Sequence, residues 1–336
     1  MPALPPPGPD CPIVIVGAGV AGAATAWHLR RLGAGPVLLL EAEEQVGLHA
    51  SGRNAAIVRT HPEVPFLQPY FEEGLDQLRV LPDDIYKPCG GLLIGPGSAR
   101  ADAYHADVRG TGTWHPRAGT VDGGRLLDLL LRDLPVRTRC RVETWSSHDG
   151  GLALETNQGC VQAHTLVLAT GAWAGGMGAL PLEPLNRHLF VTAVDPAIDQ
   201  EGPWVWDERA DYYVRPYRGA WMLCVCDETP AAPGSQPVDP AVASRLAARL
   251  RAHQPALAMQ EVAHAWVGQR TFAPDRLPVV GFDPRTPRLF HVGALGGYGI
   301  TLCLSIGRMA AEVITGRAEV PPELRPDRLL PARTTT

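Results

Sequence analysis

Apolar residues open the chain as an unbroken run, Ile13–Val16, change to helical spacing over Ala21–Leu32, and return as a run at Pro36–Leu40 that ends on Glu41. Short continuous runs predict buried strands and the 3.6-residue spacing predicts a helix, so the opening reads as β-α-β with short connections. Helical spacing recurs over Val121–Leu134. Arg137–Trp145, Leu152–Glu155 and Val161–Leu168 then read as three strands, with turns at Asp149-Gly150-Gly151 and Asn157-Gln158-Gly159. That pattern predicts a β-meander after a helix. From Leu189 to Val225 the runs are short and aromatic-rich, and Pro-rich breaks follow at 229–240. Ala241–His253 predicts a helix, Glu261–Thr271 and Arg288–Val292 strands, and Gly299–Thr315 a closing helix. The expected fold class is α/β. A Rossmann-like nucleotide-binding domain would be assembled from segments 11–85, 118–177 and 272–330, with an antiparallel-sheet substrate domain inserted as 86–117 and 178–271.

Composition narrows the class. Apolar residues are 45% and charged residues 19% of the 336, as in a compact globular protein. The net charge of −5, with both signs mixed along the chain, gives no basic footprint for nucleic acid. Residues 1–10 have neither the basic nor the apolar segment of a signal peptide and read as a disordered leader. No run is long enough for a transmembrane helix, so a cytoplasmic location is expected. The seven cysteines, 11, 89, 140, 160, 224, 226 and 303, show no metal-ligand spacing; they read as reduced thiols, with no metal expected. Nothing in the sequence sets an oligomeric state.

Gly17-Ala18-Gly19-Val20-Ala21-Gly22 follows a strand, opens a helix and precedes Glu41 by about 20 residues, which is the dinucleotide fingerprint. Gly17 would permit the tight turn, Gly19 the approach of a pyrophosphate and Gly22 close helix–strand packing, while the helix N-terminus supplies amide donors. Glu41 could accept ribose hydroxyls. FAD and NAD share this fingerprint, and three further stretches favour FAD. His49-Ala50-Ser51-Gly52-Arg53-Asn54-Ala55-Ala56-Ile57 is a small-residue stretch suited to a phosphate and isoalloxazine cradle. Ala169-Thr170-Gly171-Ala172-Trp173 is a turn able to pass under a cofactor. Gly293 to Ile300 enters the last helix with amides that could face the flavin pyrimidine.

Together with Trp266-x-Gly-x-Arg270, Pro274-Asp275-x-x-Pro278 and Gly296-Gly297-Tyr298-Gly299-Ile300, these motifs resemble the D-amino acid oxidase (DAO) superfamily of FAD-dependent oxidoreductases over residues 12 to about 330. The closest resemblance is to D-amino acid dehydrogenases of the D-arginine dehydrogenase type. It implies noncovalent FAD, a Rossmann-like FAD-binding domain and hydride transfer from the substrate Cα to flavin N5. The imine product would hydrolyse to the 2-oxo acid, with oxygen or a quinone as electron acceptor. It also implies FAD contacts from Ala42 and Val142. His49 could touch the flavin or attach it.

A substrate carboxylate needs a fork-shaped cation, and Arg270, out of place in an apolar strand unless paired, matches the family's carboxylate-binding Arg. Arg187 could be a second cation near the substrate. Tyr213 matches a family Tyr of the pocket, with Tyr212 on the opposite face of its strand. Trp204 and Trp206 share a face and correspond to apolar pocket residues, and Gly296, Gly297 and Tyr298 would also border the substrate. Two positions depart from the D-arginine pattern. Ile57 stands where those relatives carry His, and Cys89 where they carry Glu. Without the acid, the expected substrate is a D-amino acid with a neutral or apolar side chain. A secondary amine of the glycine, sarcosine or proline type, a 2-hydroxy acid, or a flavin-binding subunit of a hetero-oligomer are the alternatives.

Overall fold

A computed structural model of the chain describes residues 12–95 and 112–331. The expected leader, Cys11 and residues 96–111 lie outside the described residues. The rest divides into two compact units, one of residues 12–52, 123–184 and 270–331 and one of 53–95, 112–122 and 185–269. The segment expectation differs from this division mainly at 53–85 and 118–122, which fall in the second unit.

The first unit carries a six-stranded sheet in the order β19 (Val279–Phe282), β20 (Leu289–Gly293), β12 (Thr165–Leu168), β1 (Ile13–Val16), β2 (Val37–Leu40) and β8 (Val136–Arg137). All neighbours are parallel except β19 and β20. Alternation explains why β1 reads as a solid apolar run: both of its faces are covered. Val14, Val16, Leu40, Leu166 and Leu168 pack against Leu152, Leu154 and Val161 of an antiparallel meander, β9 (Val142–His148), β10 (Gly151–Thr156) and β11 (Gly159–Ala163). On the other face lie α1 (Val20–Arg31) and α7 (Gly299–Ile314), whose buried residues include Ala23, Ala24, Ala26, Ala310 and Ala311, small enough for close approach. α3 (Gly123–Leu131) and α4 (Ala174–Gly178) complete this unit's helices.

Two expected strands are each two strands here. Arg137–Trp145 breaks at Arg139, which is left-handed (φ 53), into β8 of the parallel sheet and β9 of the meander. Val161–Leu168 breaks at His164, whose N–H bonds the Pro12 carbonyl as the chain passes from β11 to β12. Neither Gly nor Pro stands at either break, so the sequence pattern carries no mark of the change of sheet.

The second unit holds a large sheet in the order β17 (Thr229–Pro230), β13 (Glu183–Thr192), β16 (Ala220–Cys224), β15 (Tyr212–Tyr217), β14 (Trp204–Asp207), β5 (Gly91–Ile94) and β6 (Gly112–His115), with β18 (Val262–Phe272) also paired to β13. It is antiparallel apart from the parallel β14–β5 pair. Alternation again sorts the faces. Phe190, Tyr212, Val214, Leu223 and Val225 pack under α5 (Pro240–His253), whose Asp239 accepts from Ala241 N–H as its N-cap. Leu189, Trp206, Tyr213, Met222 and Cys224 form the opposite face. The unit also holds α2 (Gln68–Arg79), α6 (Pro255–Ala258) and a small sheet of β3 (Ile57–Val58), β7 (Gly119–Val121) and β4 (Tyr86–Lys87). None of the described helices is long and apolar enough to cross a membrane.

Candidate functional site

In the first unit the candidate site is made largely of backbone. Gly17 has φ +103, and a Cβ there would stand 2.4 Å from the Ala169 carbonyl oxygen, so the fingerprint turn and the Ala169-Thr170-Gly171 turn touch through main chain alone. A Cβ on Gly22 would meet the Gly17 carbonyl at 2.0 Å. α1 has no side-chain cap of its own; instead Ser51 Oγ accepts from Val20 N–H at 2.9 Å, which brings the small-residue stretch against the N-terminus of the helix. Glu41 lies over the same loop. One carboxylate oxygen accepts from Ala18 N–H at 2.9 Å and the other from Glu43 N–H at 3.1 Å, and each keeps lone-pair capacity for a ribose hydroxyl. Ala42 is exposed beside it.

The small-residue stretch 49–57 divides after Gly52. His49 Nε2 is 2.9 Å from Glu43 Oε1 and its ring meets Trp173 edge-on at 4.6 Å. Arg53–Ile57 belong to the second unit: Trp266 Nε1 donates to the Arg53 carbonyl at 3.1 Å, and Asn54 Oδ1 accepts from Ala56 N–H at 2.7 Å, holding Ala56 at φ 53. Ala55 and Ile57 pack into the apolar face of the large sheet. Val142, an expected FAD contact, lies in the core beneath the meander.

Whether these residues fit FAD is tested by Thr170. Its Oγ1 is buried with no hydrogen-bond partner among the described residues, and buried hydroxyls are normally satisfied. A polar ligand in the loop would supply that partner. The 296–298 turn leads into α7, which has neither a side-chain cap nor an acidic residue in its first turn, so the amides around Gly299 and Ile300 suit an anionic group. Gly293, which ends β20, is buried. Arg270, at the end of β18, lies against the same turn. A Cβ on Gly297 would stand 3.0 Å from Arg270 Nη1, and the Arg270 guanidinium lies 5.3 Å from the Phe272 ring centre.

In the second unit the candidate site is made of side chains. Trp206 and Tyr213 pair across β14 and β15, with ring centres 4.9 Å apart. Arg59, which sequence reasoning passed over, lies 4.7 Å over the Trp206 ring and pairs with Glu63 at 3.2 Å. Trp204 is buried, filling the room left by the missing side chain of Gly91. Cys89 lies beyond β4, half-buried, and burial pushes its thiol up.

Arg187 is buried, with Nη1 3.7 Å from Cys224 Sγ and Nη2 3.6 Å from Glu228 Oε1. Burial works against its charge, but Cys224, Cys226 and Tyr213 outweigh that and raise it. Burial pushes the Tyr213 phenol well up. Burial alone would also raise the Cys224 thiol, yet hydrogen bonding from Cys226, the Arg187 guanidinium and the Tyr213 hydroxyl bring it down to about 6. Cys226 moves the other way, raised by burial and by its neighbour Cys224. Sequence reasoning did not single out Cys224, Cys226 or Glu228. The signal was the Cys-x-Cys spacing itself: Cys224 ends β16, next to the Arg-bearing β13, and Cys226 follows it two residues on, at a left-handed position.

A parallel sheet with a fingerprint loop, a Ser-capped helix N-terminus and an unsatisfied hydroxyl in the adjoining turn defines a dinucleotide-binding protein. The sequence profile of the family DAO, FAD dependent oxidoreductase, matches residues 12–110 and 96–313. The chain belongs to that family, and its cofactor is FAD. Dimethylglycine dehydrogenase, mitochondrial, of Mus musculus is 24% identical over 93% of this chain, and the matched part is 43% of the relative. The MnmC bifunctional protein of tRNA 5-methylaminomethyl-2-thiouridine biosynthesis from Verminephrobacter eiseniae is 27% identical over 90% of this chain and 60% of its own length. The chain thus spans about half the length of these relatives. Among solved structures, L-proline dehydrogenase from P. horikoshii superposes with a TM-score of 0.82 at 18% identity, covering 97% of this chain and 98% of that one. Glycine oxidase from Bacillus cereus does so with 0.79 at 19%, covering 97% and 100%. These likenesses establish the fold.

Proposed function

We propose that this chain oxidises a small amine carrying a carboxylate, at the carbon between the two groups, and that the imine formed is hydrolysed by water. Arg270 carries the reading. It is a planar cation at the end of an apolar strand, beside the Gly297 turn that enters α7, and a carboxylate is the ligand its fork fits. FAD, held noncovalently, supplies the hydride acceptor. The protein's part is then placement: Arg270 orients the substrate through its carboxylate, and the neutral amine needs little acid–base help.

The preferred substrate is a glycine- or proline-type amino acid with a primary or N-substituted amine. Similar proteins are named for dimethylglycine, glycine, L-proline and iminodiacetate. A neutral D-amino acid is the second reading, favoured by the loss of an acid at Cys89 and of His at Ile57. The test is an anaerobic titration of the purified yellow protein with glycine, sarcosine, dimethylglycine, both enantiomers of proline, neutral and basic D-amino acids and 2-hydroxy acids, following the flavin band at about 450 nm. Bleaching by a glycine- or proline-type amine supports the proposal, and bleaching by D-Met or D-Phe alone supports the second reading. Preference for D-Arg or D-Lys overturns both. Readmitted air then separates use of oxygen from use of a quinone.

A further inference from the structure

The Cys224 sulfur is buried and accepts from a guanidinium and a backbone N–H. Arg187 Nη1 stands at 3.7 Å and the backbone N–H of Cys226 at 3.3 Å, and the Cys226 and Tyr213 side chains lie in the same buried cluster. A neutral thiol is a weak acceptor, so a buried guanidinium and a backbone N–H both aimed at one sulfur fit an anion. The cross-strand register places Tyr213 directly opposite Cys224. Cys226 comes back toward it because the backbone turns left-handed there, at φ 53. The second cysteine's backbone is thus held against the first sulfur, and both side chains lie in one cluster. The remaining described cysteines lack this arrangement: Cys303 is pushed up to about 12 by burial, Cys89 is raised by burial as well, Cys140 is buried in the meander core, and Cys160 is exposed.

We infer that Cys224 and Cys226 form an oxidation site for small hydroperoxides, with Cys224 as the attacking thiolate and Cys226 as the resolving thiol. In the first step the Cys224 sulfur attacks one peroxide oxygen and donates an electron pair. The O–O bond breaks, an S–O bond forms, and the departing oxygen takes a solvent proton, leaving a sulfenic acid and water or an alcohol. In the second step the Cys226 sulfur attacks Cys224, the S–O bond breaks, and the hydroxyl leaves as water with the Cys226 proton. Two thiols have lost two electrons and the peroxide has gained them. Closure removes the anion beside Arg187 and leaves Glu228, at 3.6 Å, as the acid near that guanidinium. Cys224 is fully buried, but Cys226 is 9% exposed, and Ile57, Trp206, Tyr217 and Trp266 at the border of the cluster are only partly buried.

The inference does not depend on the amine-oxidising reading, and its test does not use turnover. The purified full chain with its FAD is titrated with hydrogen peroxide at neutral pH, denatured in an alkylating reagent and peptide-mapped. Cys224 and Cys226 should be joined, with the loss of two hydrogen atoms, at a peroxide dose at least about tenfold below that which modifies Cys160. Cys226→Ser should instead yield Cys224 sulfenic acid that dimedone captures, and Arg187→Gln should slow oxidation of Cys224 about tenfold. If Cys160 is consumed while Cys224 and Cys226 both remain alkylatable, the inference is overturned. That outcome is read on the unmodified chain, whatever the variants do to folding.

Discussion

The two units build their candidate sites from different materials. Around the fingerprint loop the contacts are backbone to backbone or backbone to a single hydroxyl or carboxylate, as in Gly17 against Ala169, Ser51 on Val20 N–H and Glu41 on Ala18 N–H. On the large sheet the contacts are side chain to side chain across strands: Tyr213 on Trp206, Arg59 on Trp206, Arg187 on Cys224. A site made of main chain fails when an atom is added. A site made of side chains fails when one is removed.

The largest expected effect follows from the first half of that contrast. Gly17→Val adds atoms where the Ala169 oxygen already stands and demands a φ that a β-branched residue avoids, so yellow, soluble protein should be lost. The flavin-to-protein absorbance ratio of the soluble fraction reads this, and a wild-type ratio would break the contrast. Next comes Arg270→Gln. If Arg270 binds the carboxylate, kcat/KM for the substrate found by titration should fall roughly 100-fold, about 3 kcal/mol, while the flavin ratio stays unchanged. Loss of flavin with it would instead make Arg270 a cofactor-holding residue.

A smaller effect concerns pH. The Cys224 thiol is lowered from an ordinary 9.0 to about 6 in the folded protein, among Arg187, Tyr213, Cys226 and Glu228. A depressed acid stabilises the fold above its unfolded pKa, and the benefit is lost as pH falls through the folded value. The Tm of the native chain relative to Cys224→Ser should therefore rise between pH 6 and pH 9 and level off above it. Cys226, shifted upward, opposes this only above its ordinary range. A flat difference across that window would mean that the sulfur is not an anion. Least of all, Ser51→Ala removes the acceptor for Val20 N–H and should cost about 1 kcal/mol in denaturant-measured stability, with flavin retained.

The same contrast explains what could be read beforehand. The β1-α1-β2 opening, α5, β18, β20 and α7 lie close to where periodicity puts them, and the loop is visible because glycine at fixed spacing is itself the chemistry. β8 and β9, or β11 and β12, are joined in the sequence pattern because neither Gly nor Pro marks Arg139 or His164, where the chain changes sheet. α2 and the small sheet of β3, β7 and β4 went unseen, the latter because two- and three-residue strands leave no period. The Arg187, Tyr213 and Cys224 cluster depends on register between β13, β15 and β16. Residue type points to Arg187 and Tyr213 singly, while their meeting at one sulfur is a property of the pairing.

The order of strands in the parallel sheet also governs when the molecule can be finished. β1 needs β12 on one side, and β12 needs β20, so residues from opposite ends of the described chain meet at the centre of the sheet. On a ribosome the fingerprint loop emerges early, but the open edge of β12 waits for β20, and α1 waits for α7. Until then the nascent chain presents a strand edge and an apolar helix face to its surroundings, the condition under which chaperones are engaged and neighbouring chains mispair. The sheet beneath the fingerprint loop is accordingly completed only once β20 and α7 have been made.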